Sequence, residues 1–174
     1  MGPGFRAPAV GRFMEIVRVW ALHAWPVTRA QGIATYEALG WVRADDDIES
    51  FTADCTGGKA ESFFYASRGL VGLVDVQLSS LMPPATYGGF DSAIAEAYRG
   101  YYDEVSTTWG EPVNEKDRGT GRSATWILPN DACLSLSGNR AGIGMIVAPP
   151  DQTEEYLTEL RTGKSIFDDP EALP

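Results

Sequence analysis

The sequence contains one histidine and two cysteines among 174 residues, so it is poor in the side chains that most often serve as metal ligands, nucleophiles and general bases. No serine, cysteine or carboxylate stands near His23 in a pattern that would activate a nucleophile or orient the ring. No short ligand spacing joins Cys55 and Cys133 to each other or to this histidine. We therefore predict no catalytic residue, no metal site and no cofactor.

Long apolar runs are also missing from this chain. Every apolar stretch is interrupted by a charged residue, a histidine or a proline before it reaches the ~18 residues that a membrane helix needs. Charged residues are scattered through residues 1–19, where a signal peptide would have a basic start and then an apolar stretch. We therefore expect a cytoplasmic protein without membrane association, whose two cysteines are free thiols in a reducing compartment.

Basic residues are scarce over most of the chain. The formal net charge is -10, although residues 1–44 carry five arginines against two glutamates and residues 151–174 carry seven acids against two basic residues. Nucleic-acid binding requires cations that neutralise phosphates, and this composition supplies few of them. We therefore predict no nucleic-acid partner. The charge favours a basic protein partner or none, and it indicates no particular oligomeric state.

One pattern occurs twice along the chain. A helical segment ends at Gly40 before Trp41, another ends at Trp109 before Gly110, and each is followed by segments with the alternation of β-strands. The sequence therefore predicts an α+β protein in which two helix-then-antiparallel-meander units form one mixed or continuous sheet packed on helices.

The predicted domain organisation follows from this repeat and from the composition of the termini. Residues 13–163 are expected to form a single α+β domain, with half-units over about 13–80 and 90–163. A stretch rich in proline and glycine, residues 81–89, separates the two units. Residues 1–12 are expected to be a flexible leader, and residues 164–174 an acidic tail.

Apolar residues at spacings of three and four predict four helices. These are a first helix through Phe13, Ile16, Val17 and Trp20 that Pro26 ends, a second over 29–39, a third over 92–108, and a fourth that runs through Arg161 and stops at Gly163. The expected N-terminal caps are Thr28 with Gln31, Asp91, and Asp151 with Glu154.

Alternating or β-branched segments between glycine and proline turns predict six strands. They cover residues 51–55, 62–66, 70–79, 123–128, 132–137 and 142–148. The polar segment 114–121 is expected to be a mobile hairpin or loop. We also expect the serine-lined face of the 132–137 strand to meet solvent.

Two short motifs resemble ligand sites only superficially. Asp45, Asp46 and Asp47 lack the alternating ligands, the central glycine and the terminal glutamate of a calcium loop, so we predict a solvated loop. Gly163-Lys164-Ser165 follows a helix and has Thr158 where a phosphate-binding loop needs glycine. Neither motif predicts a bound ion.

A resemblance is carried by four segments. They are Trp25-Pro26-Val27-Thr28, Leu39-Gly40-Trp41, Trp109-Gly110-Glu111-Pro112 and Ala124-Thr125-Trp126. In these segments the chain resembles an uncharacterised family of proteins from high-GC bacteria, with members near secreted-toxin loci, over about residues 14–160. The resemblance implies an intracellular α+β protein and an immunity protein that blocks a toxin, and it implies no catalytic residues.

We therefore predict an intracellular protein-binding module, an immunity protein that inhibits a secreted toxin, with a basic toxin or a secreted protein as its partner. The candidate contacts lie in two polar connections: Asp45, Asp46, Asp47, Glu49, Glu115, Asp117 and Arg118.

Two alternatives stay open. One is a small-molecule binding protein or enzyme with a pocket between the sheet and the long helix, favoured by Gly142 and Gly144 on a strand. The other is a chaperone for a secreted substrate, which would have an exposed apolar groove.

Overall fold

Helices form where the apolar spacing predicts them. The structure is a computed structural model that describes residues 4–82 and 92–163. Its four α-helices are α1 Val10–Ala21, α2 Arg29–Ala38, α3 Ser92–Trp109 and α4 Thr153–Thr162. The expected cap at position 91 and the acidic tail 164–174 lie outside the described residues.

Local capping signals account for most helix ends. Thr28 and Gln31 form the predicted capping box at the start of α2. Gly40 and Gly110 follow α2 and α3 with φ of +78° and +92°, a conformation that glycine adopts without strain. Gly163 ends α4 in the same left-handed region.

The predicted capping box of Asp151 with Glu154 is wrong. A 3-10 turn over Pro150–Gln152 precedes α4, so Asp151 lies inside that turn and Gln152 is the N-cap without a side-chain hydrogen bond. The hydroxyl of Thr153 instead donates to the backbone carbonyls of Asp131 and Pro149, at 2.8 and 3.1 Å. These bonds connect the start of the helix to the sheet.

Eight strands form in the described residues. They are β1 Val42–Arg43, β2 Ser50–Thr52, β3 Ser62–Ser67, β4 Leu70–Gln77, β5 Asn114–Asp117, β6 Gly121–Ile127, β7 Cys133–Asn139 and β8 Gly142–Ala148. The two-residue β1 has no sequence prediction, because so short a strand has no periodicity to detect. The polar segment 114–121 contains β5, which pairs with β6 along its whole length.

All strand pairs are antiparallel, and the strands form one sheet in the order β1-β2-β3-β4-β8-β7-β6-β5. Each half of the sheet is a four-stranded meander that follows a helix. The halves join through their last strands, where Val74 is opposite Val147 and Val76 opposite Met145. The predicted α+β class, with two helix-then-meander units in one continuous sheet, is confirmed.

Helices α1, α2 and α3 cover one face of the sheet, which we call the inner face. Aromatic rings fill the space beneath α1 and α2, where Tyr36 stacks on Phe51 at 4.4 Å between ring centroids and Trp20 lies 6.1 Å from the same ring. Beneath α3, Phe13 of α1 stacks on Tyr101 at 4.1 Å. The buried residues of both halves form one continuous core.

Helix α4 lies on the opposite, outer face of the sheet. Leu157 packs against Cys133 and Ala148, and Tyr156 and Leu160 pack around them. The expectation that the serine-lined face of β7 meets solvent is therefore wrong for Cys133 and Ser135, which are buried. The hydroxyls of Ser135 and Thr125 form a hydrogen bond with each other at 2.9 Å, so neither of these polar groups is left unpaired under the helix.

Residues 4–12, in the segment expected to be a flexible leader, include the first turn of α1. The backbone N–H of Arg6 donates to the Ser80 hydroxyl at 2.9 Å, and the Ser80 N–H donates back to the Arg6 carbonyl at 2.8 Å. The Tyr101 hydroxyl donates to the Pro8 carbonyl at 2.5 Å. These bonds connect the segment to the sheet and to α3.

Candidate functional site

The two predicted groups of contact residues lie at diagonally opposite corners of the sheet. Asp45 to Glu49 connect β1 to β2 at one edge, whereas Glu115, Asp117 and Arg118 belong to β5 and its turn at the other edge. Seven strand spacings of ~4.8 Å separate the edges, or roughly 33 Å. The two connections also lie at opposite ends of the strands, because they hold equivalent places in the two half-units. The structure does not bring the two groups together.

In the first group, two of the four acids hold the local structure. Asp47 accepts hydrogen bonds from the Ser50 hydroxyl at 2.6 Å and the Glu49 N–H at 2.9 Å, and these bonds lower its pKa. Glu49 pairs with Arg29 at 2.7 Å, which connects the loop to α2. Asp45 and Asp46 are exposed and make no ion pair with a described residue. Those two acids are available to a partner.

Glu115 and Asp117 of the second group line a groove between α3 and the β5–β6 hairpin, with a volume of about 610 Å³, whereas Arg118 is not one of its lining residues. Tyr102 of α3 donates its hydroxyl to Glu115 at 2.5 Å, and this hydrogen bond raises the tyrosine pKa. Asp117 pairs with Arg122 at 3.0 Å and accepts from the Gly119 N–H at 2.9 Å. Asp117 and Arg122 are therefore paired with each other, and Glu115 is held by the Tyr102 hydroxyl.

A third candidate surface lies on the outer face of the sheet, and the sequence did not predict it. Phe63 and Tyr65 of β3 point away from the helix-covered core, and 42% and 61% of their surfaces are exposed. Helix α4 leaves this part of the sheet uncovered. Exposed aromatic side chains that are close together are typical of binding surfaces. The available signal was that Phe63, Phe64 and Tyr65 place aromatic rings on both faces of one strand, whereas a strand beside water needs only one apolar face.

Asp75 of β4 lies on the same outer face, between these aromatic rings and the junction of the two halves. Its cross-strand neighbours are Phe63 on β3 and Ile146 on β8. The carboxyl is half-buried and makes no hydrogen bond or ion pair with any residue in the described part of the chain. Burial without a partner raises the pKa of this group.

A cavity of about 230 Å³ opens beside Asp75 on the outer face. Its wall includes Gln77, Ser137, Gly144 and Ile146 from three neighbouring strands. The Gln77 amide donates to the carbonyls of Ser79 and Ile143, at 3.0 and 3.1 Å, so it is held in place. We call Asp75 with this cavity and the rings of Phe63 and Tyr65 the outer-face site.

Helix α4 forms the boundary of the outer-face site. Gln152, just before the helix, lies against Gly72, and a β-carbon at that glycine would be 3.1 Å from its amide nitrogen. Tyr156 lies close enough to Asp75 for the carboxylate to contribute to its raised pKa of about 12, although burial is the larger cause. The helix therefore lies beside Gly72 and near Asp75, whereas the cavity is lined by β4, β7, β8 and the residues that flank them.

The remaining candidate residues do not converge. His23 is half-exposed, and its Nδ1 lies 3.3 Å from the Ala24 carbonyl. Cys55 and Cys133 are both free, and burial raises the pKa of the Cys133 thiol to about 12, which keeps it unreactive. Within residues 4–82 and 92–163, no group of three or more histidine, cysteine or acidic side chains could hold a metal ion.

Among the helices of the described residues, none combines the length and the apolar character that crossing a bilayer requires.

No curated protein and no solved structure matches this chain. A family of unknown function matches residues 11–148, which include all of α1 but its first residue, both meanders and the outer-face site. The chain thus belongs to this uncharacterised family, DUF6301.

Proposed function

We propose that this protein is a protein-binding module that holds a basic protein partner on the outer face of the first half of its sheet. One observation carries the proposal: Phe63 and Tyr65 expose aromatic surface on the outer face of β3, which no helix of the described residues covers. Burying such rings against a partner gives large binding energy at small entropic cost, because each ring has only two side-chain torsions.

The charge of the protein supports a basic partner. The formal net charge is -10, and Asp45 and Asp46 are exposed at the edge of the same half-sheet, where neither forms an ion pair with a residue that the structure describes. Complementary charge increases the rate of encounter, whereas buried aromatic contacts set the lifetime of a complex. The finer form of the proposal is that the partner is a secreted toxin and that this chain is its immunity protein.

The experiment measures binding between purified protein and the purified product of each neighbouring gene by isothermal titration calorimetry. The double variant Phe63→Ser, Tyr65→Ser should weaken binding by at least ~30-fold, since hot-spot aromatic residues contribute ~2 kcal/mol or more. Val113→Ser is the matched control, because Val113 is exposed to a similar degree at the far edge of the sheet. Equal affinity of the double variant and the control would contradict the proposal.

The inhibitor form and the chaperone alternative differ in what the partner does when bound. An immunity protein should abolish the activity of a folded toxin at one-to-one stoichiometry. A chaperone should instead bind an incompletely folded secreted substrate and release it, which limited proteolysis of the bound partner would reveal. Both use the same surface, so the Phe63 and Tyr65 variant weakens binding in either case.

Small-molecule binding is a second candidate function, favoured by the groove between α3 and the β5–β6 hairpin. Its volume of about 610 Å³ lies within the range of ligand pockets, and Tyr98, Tyr102, Arg99 and Arg122 line it. A thermal-shift screen of amphoteric metabolites tests this function. A stabilising ligand whose effect disappears in Tyr102→Ala, but not in Phe63→Ser, would favour it.

A further inference from the structure

Asp75 is an unusual group for a free protein surface. Its carboxyl is half-buried between Phe63 and Ile146, and no donor from the described residues reaches it. An ionised carboxylate that loses water without gaining a hydrogen-bond donor destabilises the folded chain. The nearest polar group from α4 is Tyr156, whose hydroxyl interacts with Ser135. The Asp75 carboxylate is therefore unpaired among the described residues and is flanked by the apolar side chains of Phe63 and Ile146.

The adjoining cavity determines what could pair with this charge. A volume of about 230 Å³ equals that of about seven liquid water molecules, so one long side chain fits and a folded element does not. Gly144 has no side chain to block the floor, and Ser137 presents a hydroxyl at the wall. Asp75 lines this cavity, and its cross-strand neighbour Phe63 exposes its ring on the same face of the sheet.

We propose that the outer-face site is an anchor for an arginine side chain of the partner protein, with the guanidinium donating to the Asp75 carboxylate beside the Phe63 ring. The inference rests on the proposed function and adds the chemistry of the contact. A planar guanidinium can donate two parallel hydrogen bonds to a carboxylate and also stack on an aromatic ring, whereas lysine offers only a point charge.

This pairing accounts for both unusual features of the outer face at once. The aromatic rings exclude water from the ion pair, which strengthens the attraction between the charges. The unpaired carboxylate gains donors only in the complex, so the free protein carries a cost that binding removes. A neutral or acidic partner would instead leave the carboxylate unpaired at the interface, and so be rejected.

The first experiment uses the whole chain and a small probe, and it needs no partner. Nα-acetyl-arginine methylamide is titrated into ¹⁵N-labelled protein, with the isosteric citrulline compound, which is uncharged, as the comparison. We expect saturable shifts of the backbone amides of Asp75, Gly144 and Ile146 with the arginine compound only. Asp75→Asn should abolish these shifts, and Asp103→Asn, which removes an equal charge from the α3 groove, should retain them.

Absence of saturable shifts, or equal shifts in Asp75→Asn, would overturn the inference. Folding of the variants is verified from the dispersion of the same spectra, so a lost site is distinguished from a lost fold.

The second experiment separates the inference from the proposed function. With a partner identified among the neighbouring gene products, Asp75→Asn should weaken binding at least ~10-fold, a typical loss when one member of a desolvated charge pair is removed. A partner that needs Phe63 and Tyr65 but binds Asp75→Asn equally well would leave the proposed function standing and refute the arginine anchor. Probe binding at Asp75, with no partner that depends on the aromatic pair, would refute the function and retain the site.

Discussion

The two halves of the sheet have the same strand order, but the side chains on their outer faces differ in size and exposure. In the second half, β7 presents Cys133 and Ser135, which are small and are buried under α4. In the first half, the equivalent strand β3 presents Phe63 and Tyr65, which are large and exposed. Folding alone would favour the reverse arrangement, because large apolar side chains gain most from burial. The difference indicates that the first half keeps its aromatic surface for something outside the chain.

The inner face shows no such contrast between the halves. Helices α1 and α2 cover the first half and α3 covers the second, so aromatic and aliphatic side chains are buried beneath all three. The core therefore accounts for stability in both halves. Only the outer face distinguishes one half from the other, and variants on the two faces should respond differently.

The largest effect is expected from adjacent residues of β3 that face opposite ways. Phe64→Ala should cost ~3–5 kcal/mol of unfolding free energy, because it leaves a cavity in the core, whereas Phe63→Ala should change stability by less than ~1 kcal/mol. Urea denaturation followed by tryptophan fluorescence measures both. A large loss of unfolding free energy in Phe63→Ala would mean that the outer face of the first half is a second core. It would contradict the contrast between the two faces.

The next largest effect tests whether α4 covers the outer face of the second half of the sheet. Leu157→Asp places a charge in the small cluster under the helix and should cost ~3 kcal/mol. It should also expose Cys133, so that a thiol reagent modifies it much faster in a Cys55→Ser background. Thr158→Asp adds the same charge on the exposed side of the helix and should leave Cys133 protected. Equal protection of Cys133 in Leu157→Asp would show that α4 does not cover the sheet.

A smaller effect, an increase in stability, is expected from a substitution at the junction of the two halves of the sheet. Asp75→Asn should raise the unfolding free energy by ~1 kcal/mol at neutral pH, because the buried charge has no partner. The folded-state pKa is raised above the ordinary value of 3.8, so the folded chain binds more protons in the window between the two values. Stability of the natural protein should therefore fall as pH rises through that window, and the deficit should persist above it.

Denaturation curves of both proteins at several pH values measure this effect. The curves should converge below pH 3.8, where Asp75 is protonated in both states. A destabilised Asp75→Asn variant at neutral pH would mean that the carboxylate has a structural partner.

The smallest effects compare the two diagonal corners. Glu49→Gln removes a 2.7 Å pair with Arg29 whose carboxylate is only 20% exposed, and it should cost ~1 kcal/mol or less. Asp117→Asn weakens a pair with Arg122 that is about half-exposed on both sides, and no measurable change is expected. Thermal denaturation at low and at 1 M salt checks both, since salt should reduce the Glu49 effect. A larger loss of stability in Asp117→Asn than in Glu49→Gln would contradict this prediction.

Much of the fold could be predicted from local sequence. Thr28 with Gln31, and the glycines that follow α2 and α3, fix helix ends through backbone chemistry that needs no other part of the molecule. Alternation predicted β4, and β8 has the predicted bounds. The Asp151 capping box failed because Pro150 forms a 3-10 turn and Thr153 bonds to the sheet instead.

The candidate site was less predictable. The alternation within residues 70–79 places Asp75 on a polar face of its strand, but its isolation depends on Phe63 and Ile146, which come from strands on either side. The sequence predicted contact residues in two polar connections but not how far apart these connections lie. The strand order places them at opposite corners.

The sequence by itself determined which segments form the helices and most of the strands, and which side of those strands is apolar, because these properties depend on side-chain periodicity and on the backbone preferences of single residues. The tertiary structure decided what covers each side. Joining the meanders through β4 and β8 and laying α4 across the second half depend on contacts between residues far apart in the chain, which periodicity does not encode. This arrangement buries the small side chains of β7 under α4 and leaves Asp75 and its aromatic neighbours uncovered by that helix.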